Sequence, residues 1–254
     1  MLTAWRKRRY RARGYVPVNL AGERFRCDPY HSKFWRKASS GTWEPETFQV
    51  LDRYLDPQRD YLDIGAWIGP TVLYAARKAR RVWCFEPDPR AYRHLAWNIE
   101  LNGLENVSAL PVALADDTGI ARMASFGGET GDSMTSLLNT GGEGFAAVTL
   151  AWDVFAAETD LNQVSLVKMD IEGAEFAVLP ALLPWLRAHR PTLYLSTHAP
   201  YLDRDARARA MGALADQLSF YGRCLGDIGN ATTISDALTH PDALEKFQAF
   251  VFCD

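Results

Sequence analysis

The sequence contains little cysteine and no long apolar segment. Its four cysteines (Cys27, Cys84, Cys224 and Cys253) lie far apart in a chain of 254 residues, and no pair has the spacing of metal ligands. No apolar run reaches the length of about 18 residues that a membrane-spanning helix needs. The basic N-terminus is not followed by the apolar stretch of a secretory signal. We therefore expect reduced thiols in a cytoplasmic protein.

Acidic residues are scarce at the start of the chain. Residues 1–37 contain 11 Lys or Arg and only 2 Asp or Glu, although the whole chain has a formal net charge of −3. Such a cluster attracts phosphates or an anionic membrane surface. The alternative is a solvated arm, or an arm that lies against the acidic remainder of the chain. We predict a basic N-terminal extension over residues 1–40 and a single domain over residues 41–254.

Apolar strands alternate with helices through most of the chain. The predicted strands are 61–65, 81–87, 107–114, 164–170, 192–197, 231–235 and 247–253, and the predicted helices are 41–55, 71–79, 88–104, 175–190 and 203–221. This alternation favours an α/β fold with a doubly wound, mostly parallel seven-stranded sheet and helices on both faces. One long insert at 127–144, rich in Gly, Ser and Thr, is either a lid or a surface excursion.

A turn with two glycines follows the first strand of this predicted sheet. Gly65 and Gly69 flank the passage from strand to helix, where small residues let a ligand approach the backbone amides. Glu86 ends the next strand, 21 residues after Gly65. In doubly wound folds this position offers a carboxylate to ribose hydroxyls. The turn therefore predicts a cofactor site.

The turn does not match the dinucleotide fingerprint G-x-G-x-x-G, because Ala66 and Trp67 follow the first glycine. Asp63 stands two residues before that glycine, where it would repel a pyrophosphate and attract an ammonium group. The pair of Asp63 and Glu86 suits a ligand with a cationic end and a free ribose, such as S-adenosylmethionine.

Several segments resemble motifs of a known enzyme family. LDIGAWIG (62–69) is similar to the first motif of class I S-adenosylmethionine-dependent methyltransferases, and CFEPDP (84–89) is similar to their second. VKMDIEGAE (167–175) resembles the hallmark of the FkbM-type methyltransferases, a group that mostly modifies hydroxyl groups. Two shorter segments match the same family: WEP (43–45) and ALADDTG (113–119). The resemblance spans about residues 41–200 and implies a Rossmann-like class I methyltransferase fold.

The resemblance also implies which residues hold the cofactor. The expected cofactor-binding residues are Glu44, Asp63, Gly65, Ala66, Trp67, Gly69, Glu86, Pro87, Ala113, Leu114 and Asp170. Among them, Glu86 would bind the ribose hydroxyls, and Ala113 and Leu114, at the end of the third strand, would lie against the adenine. Glu44 would approach the cofactor from above, or simply cap its helix beside Pro45. S-adenosylhomocysteine would be the product.

Ionisable residues follow the fourth and fifth strands. Asp170 ends the fourth strand, Glu172 and Glu175 begin the next helix, and His198 ends the fifth strand. Ligands of such a sheet bind outside the carboxyl ends of the strands, so these groups converge on one pocket. We predict Asp170, Glu172 and His198 as catalytic residues. His198 is the natural base and Asp170 the competing one. Glu172 and Glu175 can also serve the helix dipole alone.

The sequence thus predicts an S-adenosylmethionine-dependent O-methyltransferase that acts on a hydroxyl of a small molecule or of a sugar in a glycan. The alternatives are a nucleic-acid methyltransferase and a non-catalytic protein that keeps the fold. The acidic body disfavours nucleic acid as a partner, whereas contact of the basic N-terminus with a membrane surface stays open. No metal is predicted as a ligand of the site, and a divalent cation on Asp170, Glu172 and His198 is the less favoured alternative.

Overall fold

The computed structural model describes residues 2–125, 134–136, 144–226 and 231–254. Within these residues the strands are β1 (Val16–Leu20), β2 (Glu23–Cys27), β3 (Asp60–Ile64), β4 (Arg81–Phe85), β5 (Val107–Leu110), β6 (Ala113–Ala115), β7 (Gly119–Ser125), β8 (Thr135–Ser136), β9 (Gly144–Ala151), β10 (Val164–Met169), β11 (Thr192–Thr197), β12 (Arg223–Gly226), β13 (Ala231–Thr232) and β14 (Gln248–Cys253). The predicted lid at 127–144 lies outside the described residues except for residues 134–136 and 144.

The helices of the same described residues are α1 (Leu2–Arg13), α2 (Ser32–Ser39), α3 (Pro45–Tyr54), α4 (Pro70–Ala75), α5 (Pro89–Leu101), α6 (Trp152–Glu158), α7 (Glu175–His189), α8 (Arg204–Leu218), α9 (Ile234–Thr239) and α10 (Pro241–Glu245). A short 3-10 turn covers Ala199–Tyr201. Asp88 caps α5 as its position before a proline predicts, since its side chain accepts hydrogen bonds from the Arg90 and Ala91 amides. No helix in the described part is both long and apolar enough to cross a membrane.

The central sheet has the strand order β13-β12-β14-β11-β10-β3-β4-β5. Five neighbouring strands run parallel to one another: β5, β4, β3, β10 and β11. Beyond β11, the strands β14 and β12 are added in antiparallel pairing. The two-residue strand β13 is an eighth strand at the edge, beyond the seven strands that form the mostly parallel sheet. The predicted seven-stranded, mostly parallel sheet is therefore confirmed. The strand order reverses between β3 and β10, which is where ligands of such sheets bind.

Helices cover both faces of the sheet. Leu62 and Ile64 of β3 belong to an apolar cluster with residues of α6, α7 and α8. Tyr61, which precedes Leu62 and points to the opposite face, belongs to a second cluster with residues of α3, α4 and α5. Because successive side chains of a strand point to opposite faces, β3 is buried along its whole length.

The predicted third strand at 107–114 is two strands of different sheets, so the single-strand prediction was wrong. Strand β5 ends at Leu110, and Ala113–Ala115 forms β6, which pairs in parallel with β9 in a separate four-stranded sheet of order β6-β9-β7-β8. Pro111 lies between the two segments and has no backbone N–H to continue a ladder. The chain therefore leaves the central sheet at this proline.

The predicted strand at 231–235 is shorter than expected. Only Ala231–Thr232 pairs with β12, and α9 follows directly. The reason is Thr233, whose hydroxyl accepts a hydrogen bond from the Asp236 amide at 3.2 Å and caps the helix. The two helices α9 and α10 in this region escaped the sequence analysis.

The region before residue 40 contains ordered elements that pack on the rest of the chain. Val16, Val18 and Leu20 of β1 are buried and alternate with exposed residues, and they share the second apolar cluster with residues of α3 and α4. The alternation in Val16–Leu20, followed by a turn at Gly22, is the signal that could have revealed this hairpin. The domain boundary at residue 40 stays a prediction.

Buried Asp28 fixes this N-terminal region in place. Its backbone N–H donates to the Asn98 side chain of α5 at 2.7 Å, and its carboxylate accepts the Trp35 Nε1–H of α2 at 2.9 Å. Asn102, directly after α5, adds hydrogen bonds to both backbone groups of Arg26. The hairpin and α2 are therefore attached to α5 through polar groups as well as apolar ones.

Candidate functional site

The turn from β3 to α4 is tight at both glycines. Gly65 has a φ of +90°, and a Cβ there would lie 1.9 Å from the backbone oxygen of Asp170. Gly69 has a φ of +89°, and a Cβ there would lie 2.5 Å from Leu95 Cδ1 of α5. Gly65 thus permits contact between the turn and the end of β10, and Gly69 permits packing of α4 on α5.

Glu86 follows β4 and turns its carboxylate toward this turn. It is 6% exposed. One carboxylate oxygen accepts the Trp67 amide at 2.7 Å and the other accepts the Asp88 amide at 2.8 Å. Burial raises the pKa of Glu86 to about 8. A carboxylate has about four acceptor positions, so two remain for hydroxyl groups of a ligand.

A cavity of about 540 Å³ opens between the glycine turn and Glu86, and we call it the turn cavity. Seven of the predicted cofactor-binding residues line it: Gly65, Trp67, Glu86, Pro87, Ala113, Leu114 and Asp170. Apolar side chains of Val112, Met123 and Ile171 line it as well. Ala113 and Leu114 thus reach the predicted place, although they come from β6 of the small sheet. The cavity offers a polar side to hydroxyls and an apolar side to a flat ring.

Two larger cavities adjoin the turn cavity. The α3 cavity, of about 830 Å³, is lined by Glu44, Ala66, Thr71 and Lys168 among others. The His198 cavity, of about 920 Å³, is lined by Glu44 and His198 among others. Asp170 and Glu172 line all three. The cavities therefore meet at the end of β10, as expected for a site at the carboxyl ends of parallel strands.

Asp63 and Gly69 line none of these three cavities. The Asp63 side chain is completely buried. One of its oxygens accepts the Tyr61 hydroxyl at 3.1 Å and the Thr71 hydroxyl at 2.6 Å, and the other lies 3.5 Å from Lys168 Nζ. Asp63 therefore supports the floor of the site. The predicted direct contact with an ammonium group stays a prediction.

Lys168 is the central cation of the site, and the sequence analysis gave it no role. It is 4% exposed, and its Nζ lies 3.5 Å from Asp63 Oδ1 and 3.3 Å from Asp170 Oδ2. Burial alone would lower its pKa, but the two carboxylates raise it. Lys168 in turn holds the pKa of Asp170 below its usual value despite burial. A lysine inside the apolar run VSLVKM was the available signal, since such residues are rarely buried without a partner.

Glu44 begins α3 with a left-handed φ of +42°, and its side chain makes no capping hydrogen bond. The Thr47 hydroxyl donates to its carboxylate at 3.2 Å. Glu44 lines both the α3 and the His198 cavities, and its predicted approach to the cofactor stays a prediction.

His198 lies among three carboxylates. Glu175 Oε1 accepts the His198 backbone amide at 2.6 Å and lies 3.3 Å from its Nδ1. The other ring nitrogen, Nε2, lies 3.6 Å from Asp170 and 3.5 Å from Glu172. The structure thus brings together all four groups predicted from the strand ends. Glu175, fully buried, orients the imidazole in addition to standing in the first turn of α7.

This arrangement decides the protonation of the site. Burial alone would lower the pKa of His198, but the three carboxylates raise it to about 9. Burial, and then Asp170, raise the pKa of Glu172 to about 7. At neutral pH the imidazole of His198 is therefore protonated, and Glu172 is the group that titrates. The role of His198 as the base stays a prediction, and His198 would have to lose this proton to act in that role.

The His198 cavity has an aromatic wall and an acidic lining. The Tyr201 ring stacks on His198 with an angle of 4° between planes, and Phe247, which is 55% exposed, lies 5.0 Å from Tyr201. Four carboxylates line the cavity: Glu44, Glu46, Asp170 and Glu172. Its described lining includes no lysine or arginine. The aromatic pair escaped the sequence analysis because 46 residues separate its members. The lining disfavours anionic ligands.

The predicted alternative of a divalent cation has a suitable donor set. Asp170, Glu172 and His198 place ligand atoms within 4.8 Å of one another. Two carboxylates and one imidazole suit Mg²⁺ or Mn²⁺. A cation there would have to displace the proton that His198 carries at neutral pH. The metal therefore stays the less favoured alternative.

The sheet order, with antiparallel strands added beyond β11 and a glycine turn after β3, defines a class I methyltransferase fold. The family model of the FkbM methyltransferase domain matches residues 63–222, which is more than half of the chain. The chain therefore belongs to the FkbM methyltransferase family, as its motifs predicted. Members of this family transfer methyl groups.

Individual relatives are distant. A methyltransferase FkbM of Methylobacillus flagellatus is 18% identical, with a TM-score of 0.45, over 78% of this chain and 44% of that one. A putative methyltransferase of Streptococcus mutans, solved with SAH, is 10% identical, with a TM-score of 0.45, over 81% of this chain and 94% of that one. An uncharacterised protein of Methanocaldococcus jannaschii is 31% identical over 61 residues, which is 24% of either chain. This chain thus spans less than half of the first structure and about a quarter of the curated relative.

Proposed function

We propose that the protein is an S-adenosylmethionine-dependent O-methyltransferase whose acceptor is a hydroxyl of a neutral or positively charged small molecule or glycan sugar. The observation that carries this proposal is the meeting of the turn cavity and the His198 cavity at Asp170 and Glu172. A methyl donor in the first cavity would then face an acceptor in the second. Family membership supports the methyl transfer, and the acidic lining supports an uncharged or cationic acceptor.

The cofactor assignment rests on the turn cavity. Glu86 would accept the two ribose hydroxyls with its remaining lone pairs, and the apolar side formed by Val112 and Met123 would hold the adenine. The described lining of this cavity contains no basic side chain that would favour a pyrophosphate over a sulfonium. The methionine end would extend toward the α3 cavity, where Glu44 and Lys168 offer charges of both signs.

Methyl transfer needs a base for the acceptor proton. The acceptor oxygen attacks the methyl carbon as the carbon–sulfur bond breaks, and the hydroxyl proton passes to a carboxylate. Glu172 suits this step because its pKa of about 7 lies near neutral pH, whereas Asp170 is already paired with Lys168. Protonated His198, oriented by Glu175, would hold Glu172 and the acceptor in position.

We expect the affinity for S-adenosylhomocysteine to rise with pH. With a pKa of about 8, Glu86 is mostly protonated at pH 6 and mostly ionised at pH 9, and ribose hydroxyls donate best to the ionised form. The dissociation constant should fall up to ~100-fold over this range. Isothermal titration calorimetry at several pH values measures it.

Glu86→Gln is the control for this titration, because it keeps the shape and removes the ionisation. We expect this variant to bind S-adenosylhomocysteine more weakly. Its dissociation constant should not vary with pH once the titration of the ligand itself is subtracted. Parallel pH profiles in the two proteins would remove Glu86 from the ribose site. Binding of NAD but not of S-adenosylhomocysteine would overturn the proposed function.

The turnover rate should rise as pH increases through about 7, because Glu172 must lose its proton to act as the base. Glu172→Gln should lower kcat by about 100-fold or more and abolish this dependence, while the affinity for S-adenosylhomocysteine stays within a few-fold. Transfer of the methyl group from radiolabelled S-adenosylmethionine to the acceptor measures kcat and its pH dependence.

The matched control is Glu100→Gln, a substitution at an exposed position of α5. It should leave the rate and its pH dependence unchanged. A rate that rises only near pH 9, together with loss of that rise in His198→Asn, would return the role of base to His198. Full activity of Glu172→Gln at neutral pH would remove Glu172 from the mechanism.

A further inference from the structure

A groove of about 1180 Å³ on the N-terminal side contains four exposed arginines, and we call it the arginine groove. Its arginines are Arg13, Arg24, Arg26 and Arg77. They come from the end of α1, from β2 and from the segment after α4, so only folding brings them together. The salt bridges among the described residues involve none of them. Four cations that form no salt bridge create a positive potential.

Helix α1 extends this positive surface. Its side chains at Arg6, Lys7, Arg8, Arg9 and Arg11 are exposed, and residues 1–22 contain no Asp or Glu. The Arg11 guanidinium lies 5.0 Å from the centre of the Tyr30 ring, so the basic helix contacts the region after β2. The helix and the groove thus form one basic face on a chain that is acidic elsewhere.

The two aromatic rings that line the groove are already occupied by arginines. Tyr15 has the guanidinium of Arg13 at 4.2 Å and that of Arg26 at 5.1 Å from its ring centre. Phe25 has Arg77 at 5.7 Å in the same way. Single-stranded nucleic acid is bound by stacking of bases on free aromatic rings. The groove therefore offers charge rather than stacking, and this favours a partner that presents phosphate groups without bases.

The charge of the candidate site points the same way. The His198 cavity is lined by four carboxylates, so a polyanion held at the groove would be repelled from the site of chemistry. A bilayer does not enter the cavity, and only its headgroups contact the protein. Trp5 of α1 is 59% exposed, and tryptophan is enriched at the interface between membrane and water.

We propose that the arginine groove and α1 bind the phosphate groups of anionic lipids and dock the protein on a membrane surface. Each guanidinium can donate two hydrogen bonds to one phosphate. Helix α1 carries basic residues on all sides, so the protein lies on the headgroups without insertion of an apolar helix face. This inference does not depend on the identity of the methyl acceptor.

The test is co-sedimentation of the full chain with vesicles. We expect binding to phosphatidylcholine vesicles that contain about 30% phosphatidylglycerol, no binding to pure phosphatidylcholine, and release as NaCl rises from about 0.05 to 0.5 M. The quadruple variant with Arg13, Arg24, Arg26 and Arg77 replaced by Gln should bind at least ~100-fold more weakly, because each basic residue contributes about fivefold. The same four positions changed to Lys should retain most of the binding.

The control removes four exposed arginines outside the groove: Arg53, Arg81, Arg204 and Arg209, each changed to Gln. Unchanged vesicle binding by this control supports the groove, and a loss equal to that of the groove variant overturns it. Binding to neutral and anionic vesicles alike would also overturn the proposal. Tighter binding of a single-stranded RNA at the same phosphate concentration would assign the face to nucleic acid instead. Affinity for S-adenosylhomocysteine and the unfolding temperature show that each variant is folded.

Discussion

Gly65→Ala is expected to destabilise the protein by at least about 3 kcal/mol and to abolish measurable binding of S-adenosylhomocysteine. The added Cβ would lie 1.9 Å from the Asp170 backbone oxygen, where no side-chain rotation can relieve the overlap. The φ of +90° adds strain that alanine does not tolerate well. Because the turn and the end of β10 line the same cavity, their separation would distort the cofactor site as well.

Gly103→Ala is the matched control. Gly103 also has a positive φ, +57°, but a Cβ there meets nothing within 4 Å. This variant should therefore lose only the conformational part, about 1–2 kcal/mol, and keep its ligand affinity. Urea unfolding and calorimetry on both variants separate the two effects. Equal losses in the two proteins would mean that the contact between the turn and β10 is not tight.

Lys168→Met should cost about 3–5 kcal/mol of unfolding free energy, because it leaves buried Asp63 and half-buried Asp170 without their shared cation. Burial has already raised the pKa of Asp63 above its usual value, and loss of Lys168 removes the group that opposes this rise. In the variant the folded state would bind protons more readily than the unfolded state. The deficit should therefore be smallest near the ordinary pKa of an aspartate, about 4, and grow toward neutral pH.

Lys246→Met is the control for this substitution. Lys246, which follows α10, pairs with Asp242 at 2.9 Å on the surface, and loss of this exposed pair should leave the unfolding free energy nearly unchanged. In the double variant Asp63→Asn/Lys168→Met the loss should be smaller than the sum of the two single losses, because only one uncompensated carboxylate remains. Additive losses, or a Lys168→Met deficit that does not vary with pH, would contradict the proposed role of Lys168 as the shared counter-ion.

The strands with clear apolar runs were predicted closely from local pattern. The prediction of 192–197 coincides with β11, 164–170 extends one residue past β10, and 61–65 is shifted by one residue from β3. These runs are continuous because helices cover both faces of the sheet, and the sequence carries that requirement directly. The elements β7 and β9 escaped, since their pairing joins segments about 25 residues apart.

In the candidate site, too, some features follow from the local sequence and others depend on the packing of separate elements. Gly65, Glu86 and Asp170 lie at strand ends, and parallel strands bring their carboxyl ends to one edge, so their convergence follows from order along the chain. The burial of Asp63 could not be predicted in this way. Its partners Thr71 and Lys168 meet it only when α4 and β10 pack beside β3.

The sequence by itself determined the family, the parallel sheet and the set of residues at the strand ends, because these depend on short motifs and on apolar periodicity. Only the tertiary structure decided the charges of that set. The proton on His198, the neutral pKa of Glu172 and the pairing of Lys168 each arise from distances across separate elements and from burial. Electrostatic energies in a buried site depend on such distances, and no local pattern of residues contains them.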